Sequence, residues 1–448
     1  MQASVTEHSP THSDYIDVEK DKSMRNVVAG SLFGTALETY DLYLYGTAAA
    51  LIFAPLFFPE ADATVSLLAS LASFAISFVA RPLGSLVIGH FGDRIGRKKL
   101  LYMTLIVMGL STVAIGLLPT YASAGIWAPI LLCLLRFIQG FAFAGEYSGA
   151  VLMLLEHAPR RKRGFYTAIN NIGPVFGFFG SAGLLLIVSS AMSTEDFYAW
   201  GWRIPFVASL ALLLVGVFVR SKVKESPVFV EAAAKRARDA KKGPSPAMML
   251  FTQYPKQLFL VAGANICHFS TFYLFTVFSM SYAQRDLGLS NSVVLSVVML
   301  SICTHLIAVP LAGALSDRIG RRRMMLIGFA VTALSAFPFW YLYSSGSFLS
   351  MLVGASALMI GYGLVYGAVA SFTGEAFGTS VRFTGFAMAT NVGGILGGGT
   401  APIIGAFLLS HFGTPYAIAW YMLFLALVSA VCTWFSKETR DKDISNEG

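Results

Sequence analysis

Charge is what this sequence has least of. Asp, Glu, Lys and Arg make up 12% of its 448 residues and hydrophobic residues 56%, whereas an ordinary soluble chain is roughly 25% charged. Most of the chain is therefore excluded from a water-facing surface. Cysteine is scarce as well. Cys133, Cys267, Cys303 and Cys432 each lie inside an apolar run, with no CxxC spacing and no His–Cys cluster, so neither a disulfide nor a metal site is expected. HExxH, GxSxG and Walker-type phosphate loops are missing too, which argues against an enzyme and leaves no cofactor to expect.

What remains is apolar length. Twelve long hydrophobic stretches recur from end to end. A helix of about 20 residues crosses a bilayer core of ~30 Å and satisfies its own backbone hydrogen bonds there. The expectation is an all-α membrane protein with twelve transmembrane helices. The first run is too long for a signal-peptide core and follows a polar leader ending near Arg25, so it is expected to be retained. With the amino terminus inside, 28 of the 32 Lys and Arg fall on the cytoplasmic side, the exceptions being Arg81, Arg136, Arg203 and Arg285. That asymmetry places both termini in the cytoplasm. The net charge of +8 then orients a multi-pass protein of the cell membrane at an anionic leaflet and implies no nucleic-acid partner.

The chain divides in two. A cytoplasmic tail over 1–25 precedes a six-helix bundle over 26–221; a polar linker, 222–255, leads to a second bundle over 256–436 and a cytoplasmic tail, 437–448. GHFGDRIGRKK at 89–99 returns as GALSDRIGRRR at 313–323, and GFYTAINNIGPVFG from Gly164 aligns with GFAMATNVGGILGG from Gly385, matching Asn170 to Asn391. Two facing six-helix bundles built from internal repeats, with sites near the bilayer midplane, are the architecture of a secondary transporter.

The repeated DRIGR loop resembles the cytoplasmic loop signature of the major facilitator superfamily. ALETYDLYLYG in the first span, FVARPLG in the second, LLRFIQGFAFAGEYSGA in the fourth and WGWRIPF entering the sixth are similar to the metabolite:proton symporter family within it. The likeness spans essentially the whole chain. It implies small polar organic solutes, such as shikimate, alpha-ketoglutarate, citrate, proline or betaine, driven by a proton gradient with no other cofactor. Thr39 stands where many relatives carry an aromatic, and Ala144, Gly145, Glu146 where many have GGE; these changes alter pocket shape more than charge.

Two groups of charged residues invite a mechanism. In the repeated loops, Asp93 and Asp317 are expected to accept from arginines across the half. Arg94, Arg97, Arg318 and Arg321 are expected to reach acids at neighbouring helix ends, with Glu156 and Glu375 as partners. Such pairs would latch the cytoplasmic face, although topogenic charge alone would also explain them. The second group lies inside the spans. Glu38 and Asp41 sit about 13 and 16 residues past Arg25, roughly 20–24 Å deep at ~1.5 Å per residue, and Arg81 reaches a comparable depth. Arg136 and Glu146 occupy the outer and inner parts of the fourth span, with Gln139 one turn after Arg136. An uncompensated charge at the bilayer centre costs about 2.5–3.5 kcal/mol, so these residues must face a cavity, a partner or both.

Glu38 and Asp41 share one helix face. Adjacent carboxylates in low dielectric cannot both ionise cheaply, so with Glu146 they are the candidates for the coupling proton; a fixed pair with Arg81 holding helix packing is the alternative. Arg81 and Arg136 can fork onto a substrate carboxylate. Gln139, Asn170, Asn391, His268, Tyr273, Tyr40 and Tyr45 are the further candidates for substrate contact, while His305 is expected to be structural. The leading expectation is a proton-coupled importer of a small organic acid acting as a monomer. An osmolyte symporter for a betaine-like or proline-like zwitterion is the rival, and a membrane sensor or enzyme the remote one.

Overall fold

The computed structural model describes residues 12–60, 62–95, 97–143, 146–222 and 246–442, and no strand occurs among them. The expected connector at 222–255 is described from its end only, in the helix Pro246–Gln253; its residues 223–245 lie outside the described residues. The principal helices of the first half are α1 (His12–Leu51), α2 (Ala63–Ile95), α3 (Arg97–Leu117), α4 (Trp127–Ala142), α5 (Glu146–His157), α6 (Arg163–Asn170), α7 (Gly173–Ala191) and α8 (Arg203–Lys222). Those of the second are α9 (Pro255–Tyr273), α10 (Asn291–Ile302), α11 (His305–Ile319), α12 (Arg321–Tyr343), α13 (Phe348–Ala376), α14 (Arg382–Gly394), α15 (Ala401–Phe412) and α16 (Tyr416–Phe435).

Nine spans among the described residues are long and apolar enough to cross a membrane, and the bent pair Thr194–Gly201 and Arg203–Phe218 makes a tenth if counted as one. The carboxylate-bearing α1 and the shorter apolar segment Tyr102–Leu117 of α3 are additional to these. Large apolar side chains such as Phe259, Ile307, Leu334 and Trp420 are exposed on the outside, as a lipid-facing surface requires.

Several spans are interrupted partway along. α6 passes into α7 through Asn171 and Ile172, just before Pro174, whose missing N–H cannot continue the hydrogen-bond ladder. α10 breaks before α11 at Cys303 and Thr304, α9 continues through a π turn at Leu274–Phe278, and Ile395–Gly399 forms another between α14 and α15. Each interruption re-aims the side chains on either side of it.

α1 lies along α7, and α2 packs on α4. Both contacts depend on glycine. A Cβ at Gly177 would come within 2.3 Å of the Thr39 hydroxyl, and one at Gly140 within 2.4 Å of the Ser77 carbonyl oxygen. The two halves meet where α11 crosses α6, α10 runs against α7, and α15 contacts α2. At the α6–α11 crossing Gly164 and Gly313 face each other; a Cβ on Gly313 would sit 2.4 Å from the Ala168 Cβ.

Candidate functional site

Five charged or polar residues picked from sequence come together. Glu38 and Asp41 of α1, Arg81 of α2, and Arg136 and Gln139 of α4 line one small cavity within the first half. All are buried, with Arg136 only 1% exposed. The helical offset of three puts both carboxylates on the same face of α1, and Gly140 lets α4 approach α2 closely enough to bring the two arginines to one chamber.

Aromatic rings and hydrogen bonds hold these groups. The Arg81 guanidinium lies 4.3 Å from each of the Phe78 and Phe143 ring centroids. Arg136 lies 4.0 Å from the Tyr45 ring and 5.2 Å from Phe74, a stacking geometry that favours guanidinium over ammonium. Arg136 Nη1 donates to Gln139 Oε1, and Gln139 Nε2 donates to Thr112 Oγ1 at 2.7 Å. Arg81 Nε and two Arg136 nitrogens, Nε and Nη2, have no hydrogen-bond partner among the described residues. Buried donors left unpaired cost about 1–3 kcal/mol each, so the chamber is built with spare capacity for an acceptor.

A second small cavity lies between the halves. Tyr43, Asn171 and Phe178 come to it from the first half, and Phe272, His305 and Tyr362 from the second. Leu42 lines the first chamber and its neighbour Tyr43 the second, so α1 forms part of the wall of both. Tyr273 stands nearby, its ring 5.3 Å from those of Phe74 and Phe78 and close to Gly398.

The other candidates are distributed differently. The Tyr40 hydroxyl donates to the Pro205 carbonyl at 2.9 Å, tying α1 to α8. Asn170 accepts from Thr35 while its Nδ2 has no partner among the described residues. It is the next residue, Asn171, that reaches the inter-half cavity, accepting from the Tyr147 hydroxyl and donating to the Tyr366 carbonyl across the halves. His268 stacks beside Phe269 and Tyr366, Asn391 is half-buried, and Thr39 packs on Gly177; none of these lines either cavity. The side chains of Asp93, Arg94, Arg97 and Glu146 lie outside the described residues.

The second loop of the repeat shows how the halves are joined at their basic end. Arg321 and Glu375 are fully buried and paired, Nε to Oε2 at 3.2 Å, as the parallel placement of the two suggests. Asp317 has partners both in its own half and across the halves. It takes Arg321 of its own loop at 2.7 Å, and its cross-half partners are the backbone N–H groups of Gly164 and Phe165 at 2.9 and 3.0 Å. The close α6–α11 crossing brings Asp317 onto the start of α6, where unpaired N–H groups and the helix dipole favour an anion. Glu156 pairs across the halves with Arg382 at 3.2 Å, and Arg318 forms no ion pair among the described residues. Sequence reasoning also missed Glu438, whose carboxylate accepts from the Arg321 and Arg322 amides and so caps α12. Beside it, Thr439 donates to Glu375 at 2.8 Å, and Arg160 and Arg163 of the first half reach the Asp441 and Lys442 carbonyls.

Comparison with known proteins is consistent along the chain. Residues 27–245 match the family described as sugar (and other) transporter, and residues 260–448 match the Major Facilitator Superfamily. The chain is 41% identical over 431 residues to the inner membrane metabolite transport protein YhjE of Escherichia coli K12, covering 94% of this chain and 96% of that one. It is 35% identical to the shikimate transporter of the same strain, covering 93% and 95%. To the glycine betaine/proline/ectoine/pipecolic acid transporter OusA of Dickeya dadantii it is 33% identical, covering 97% and 87%. Among solved structures, the proton:xylose symporter XylE shares the fold with a TM-score of 0.74 at 17% identity, covering 95% of this chain and 98% of that one.

Proposed function

The chain belongs to the major facilitator superfamily, a family of multi-pass membrane transporters of small molecules, and from that premise we propose that it is a proton-coupled symporter importing a small carboxylate-bearing metabolite by alternating access, and not an enzyme. The observation that carries this reading is the first chamber, where two buried carboxylates and two buried guanidinium groups surround one small cavity. Glu38 and Asp41 take the transported proton, with Glu146 as a third candidate acid in the same half of the sequence. While they are ionised, Arg81 and Arg136 neutralise them. Once they are protonated, the guanidinium charge is left uncompensated in low dielectric and draws a substrate carboxylate toward it.

Proton and substrate then favour each other's binding, and by linkage the coupling is reciprocal. The substrate occupies the inter-half cavity, the region whose walls come from both halves and change when they rock. The Asp317, Arg321, Glu375, Glu156 and Arg382 contacts latch the basic end during part of that cycle. Relatives named for shikimate and for glycine betaine and proline support a small polar organic solute. A zwitterion is the second reading, favoured by the aromatic walls of the inter-half cavity, since aromatic faces attract quaternary ammonium groups.

Reconstitution into vesicles with an imposed inward proton gradient tests the proposal, using labelled shikimate, alpha-ketoglutarate and glycine betaine. The wild-type chain is expected to concentrate one of them. Asp41→Asn is expected to equilibrate the same solute without concentrating it and to lose its pH response. Undiminished accumulation by Asp41→Asn would remove the proton from the mechanism.

A further inference from the structure

The chamber of the first half holds more hydrogen-bond donors than its own walls satisfy. All of its lining lies between Glu38 and Phe143, so it is separate from the inter-half cavity, with α1 as the partition. Rings hold both guanidinium groups in place, Phe78 and Phe143 for Arg81 and Tyr45 and Phe74 for Arg136. Gln139 takes Arg136 Nη1. The remaining donors, Arg136 Nε, Arg136 Nη2 and Arg81 Nε, have no partner among the described residues. Neither arginine forms an ion pair there, and Asp41 forms none either. Two buried cations therefore stand in one chamber without a carboxylate in contact, and each open donor needs an acceptor.

Charge decides what kind of acceptor fits. The charged groups lining the chamber are Glu38 and Asp41 from α1, Arg81 from α2 and Arg136 from α4, whereas α3 brings only Met108. The neighbouring phenols, Tyr45 and Tyr273, are neutral near pH 7. With both acids ionised these charges cancel; with one acid protonated, a single positive charge is left. Water can accept from the open donors, but it leaves that charge uncompensated in low dielectric. A monovalent anion accepts from the same donors and cancels it. A multiply charged anion overshoots, and a strongly hydrated one such as fluoride loses more on entering among Leu42, Met108 and Phe143. We infer that the first-half chamber is a binding site for a small, weakly hydrated monovalent anion of the chloride type, held on the Arg81 and Arg136 donors and taken up together with a proton on Glu38 or Asp41. This goes beyond the transport reading, because the counter-charge comes from the salt and not from the carried solute.

Chlorine NMR tests the site without any uptake measurement, since the chloride line broadens on exchange with a protein site and narrows when a competitor displaces it. The purified full-length chain in lipid nanodiscs is titrated with sodium chloride in mildly acidic and in mildly alkaline buffer, with sodium sulfate holding the ionic strength. The wild type is expected to show saturable broadening that bromide removes and fluoride does not. It is expected to bind chloride about tenfold or more tightly in acid, the scale of a linked proton and anion. Arg81→Gln and Arg136→Gln are each expected to lose the signal, and Lys162→Gln on the exposed basic loop to keep it. Asp41→Asn removes one negative charge permanently. In alkaline buffer it is expected to bind chloride about tenfold or more tightly than the wild type, a gain that an unfolded variant cannot produce. Acetate separates a halide from the carboxylate of a solute, and is expected to displace chloride less well than bromide does. No saturable broadening in either buffer would assign the open donors to water. Equal wild-type binding in the two buffers, a signal retained by both arginine variants or lost in Lys162→Gln, no gain in Asp41→Asn, or acetate displacing better than bromide would also overturn the assignment. Loss of proton-driven solute uptake with chloride binding intact would count against the transport reading alone.

Discussion

Arg136 combines three roles that no other cationic side chain can fill together. It stacks on Tyr45, donates to Gln139 and keeps two nitrogens unpaired toward an acceptor. Lysine retains the charge but has neither the planar face nor the fork. In initial-rate uptake assays, Arg136→Lys is therefore expected to lose about tenfold in apparent affinity, corresponding to a partly desolvated cation–π contact of roughly 1–2 kcal/mol. Arg136→Gln removes the cation beside buried Asp41 and is expected to abolish proton-driven uptake. Equal uptake by both variants and the wild type would mean that the guanidinium is only a packing element. These charges were legible in the sequence because an ionisable group deep in an apolar span has few places to go. Tyr43, Tyr362 and His305 were not, since an aromatic or a lone histidine in a span is equally consistent with packing, and only the folded chain shows that their polar atoms lack partners.

Helix contacts explain how the chamber is closed and why neighbouring residues in sequence separate in function. The repeat drew attention to Asn170, but the interruption before Pro174 turns the backbone so that Asn171 meets the other half. A break of this kind is hinted at by proline, while the direction in which it re-aims a side chain is fixed by what α7 packs against. Glycine contacts are similarly half-legible: the residue is visible, its neighbour is not. Gly140→Ala would drive a methyl into the Ser77 backbone, where no side chain can move aside. It is expected to cost about 1–3 kcal/mol and, by parting α4 from α2, to reduce uptake; both are read from the thermal midpoint and the initial rate. Gly149→Ala, whose added carbon would stand 4.0 Å from Phe383, is expected to change neither. Equal behaviour of the two variants would refute the close-approach role of Gly140.

The two halves are bridged at both ends, by different kinds of contact. At the basic end a buried charge network includes Asp317, which holds two first-half amides and Arg321 together, and the tail residue Glu438 reinforces it from 117 positions away in sequence. That distance is why the tail gave no signal: a lone acid after the last span reads as a topogenic charge. At the other end the bridges involve no buried acid among the described residues, with Ser281 donating to the Ala50 carbonyl at 2.7 Å and Arg285 to that of Ala63 at 2.6 Å. Hydrogen bonds to charged groups contribute about 1.5–3 kcal/mol and neutral ones about 0.5–1.5, and exposure to water weakens charged ones. The Arg321 contacts of the basic end are buried whereas Arg285 is exposed, so the basic end is the tighter closure. Asp317→Ala strands both amides and loosens Arg321, a loss of about 3 kcal/mol or more on those values, enough to shift a two-state population about a hundredfold. Spin labels on exposed Lys162 and Ser380, one on each half, are expected to show a longer distance in Asp317→Ala than in the wild type. Ser281→Ala, which removes a single neutral hydrogen bond at the far end, is expected to leave that distance short. Were the two variants to widen the basic end equally, the asymmetry between buried charge at one end and neutral or exposed bridging at the other would not set the resting conformation.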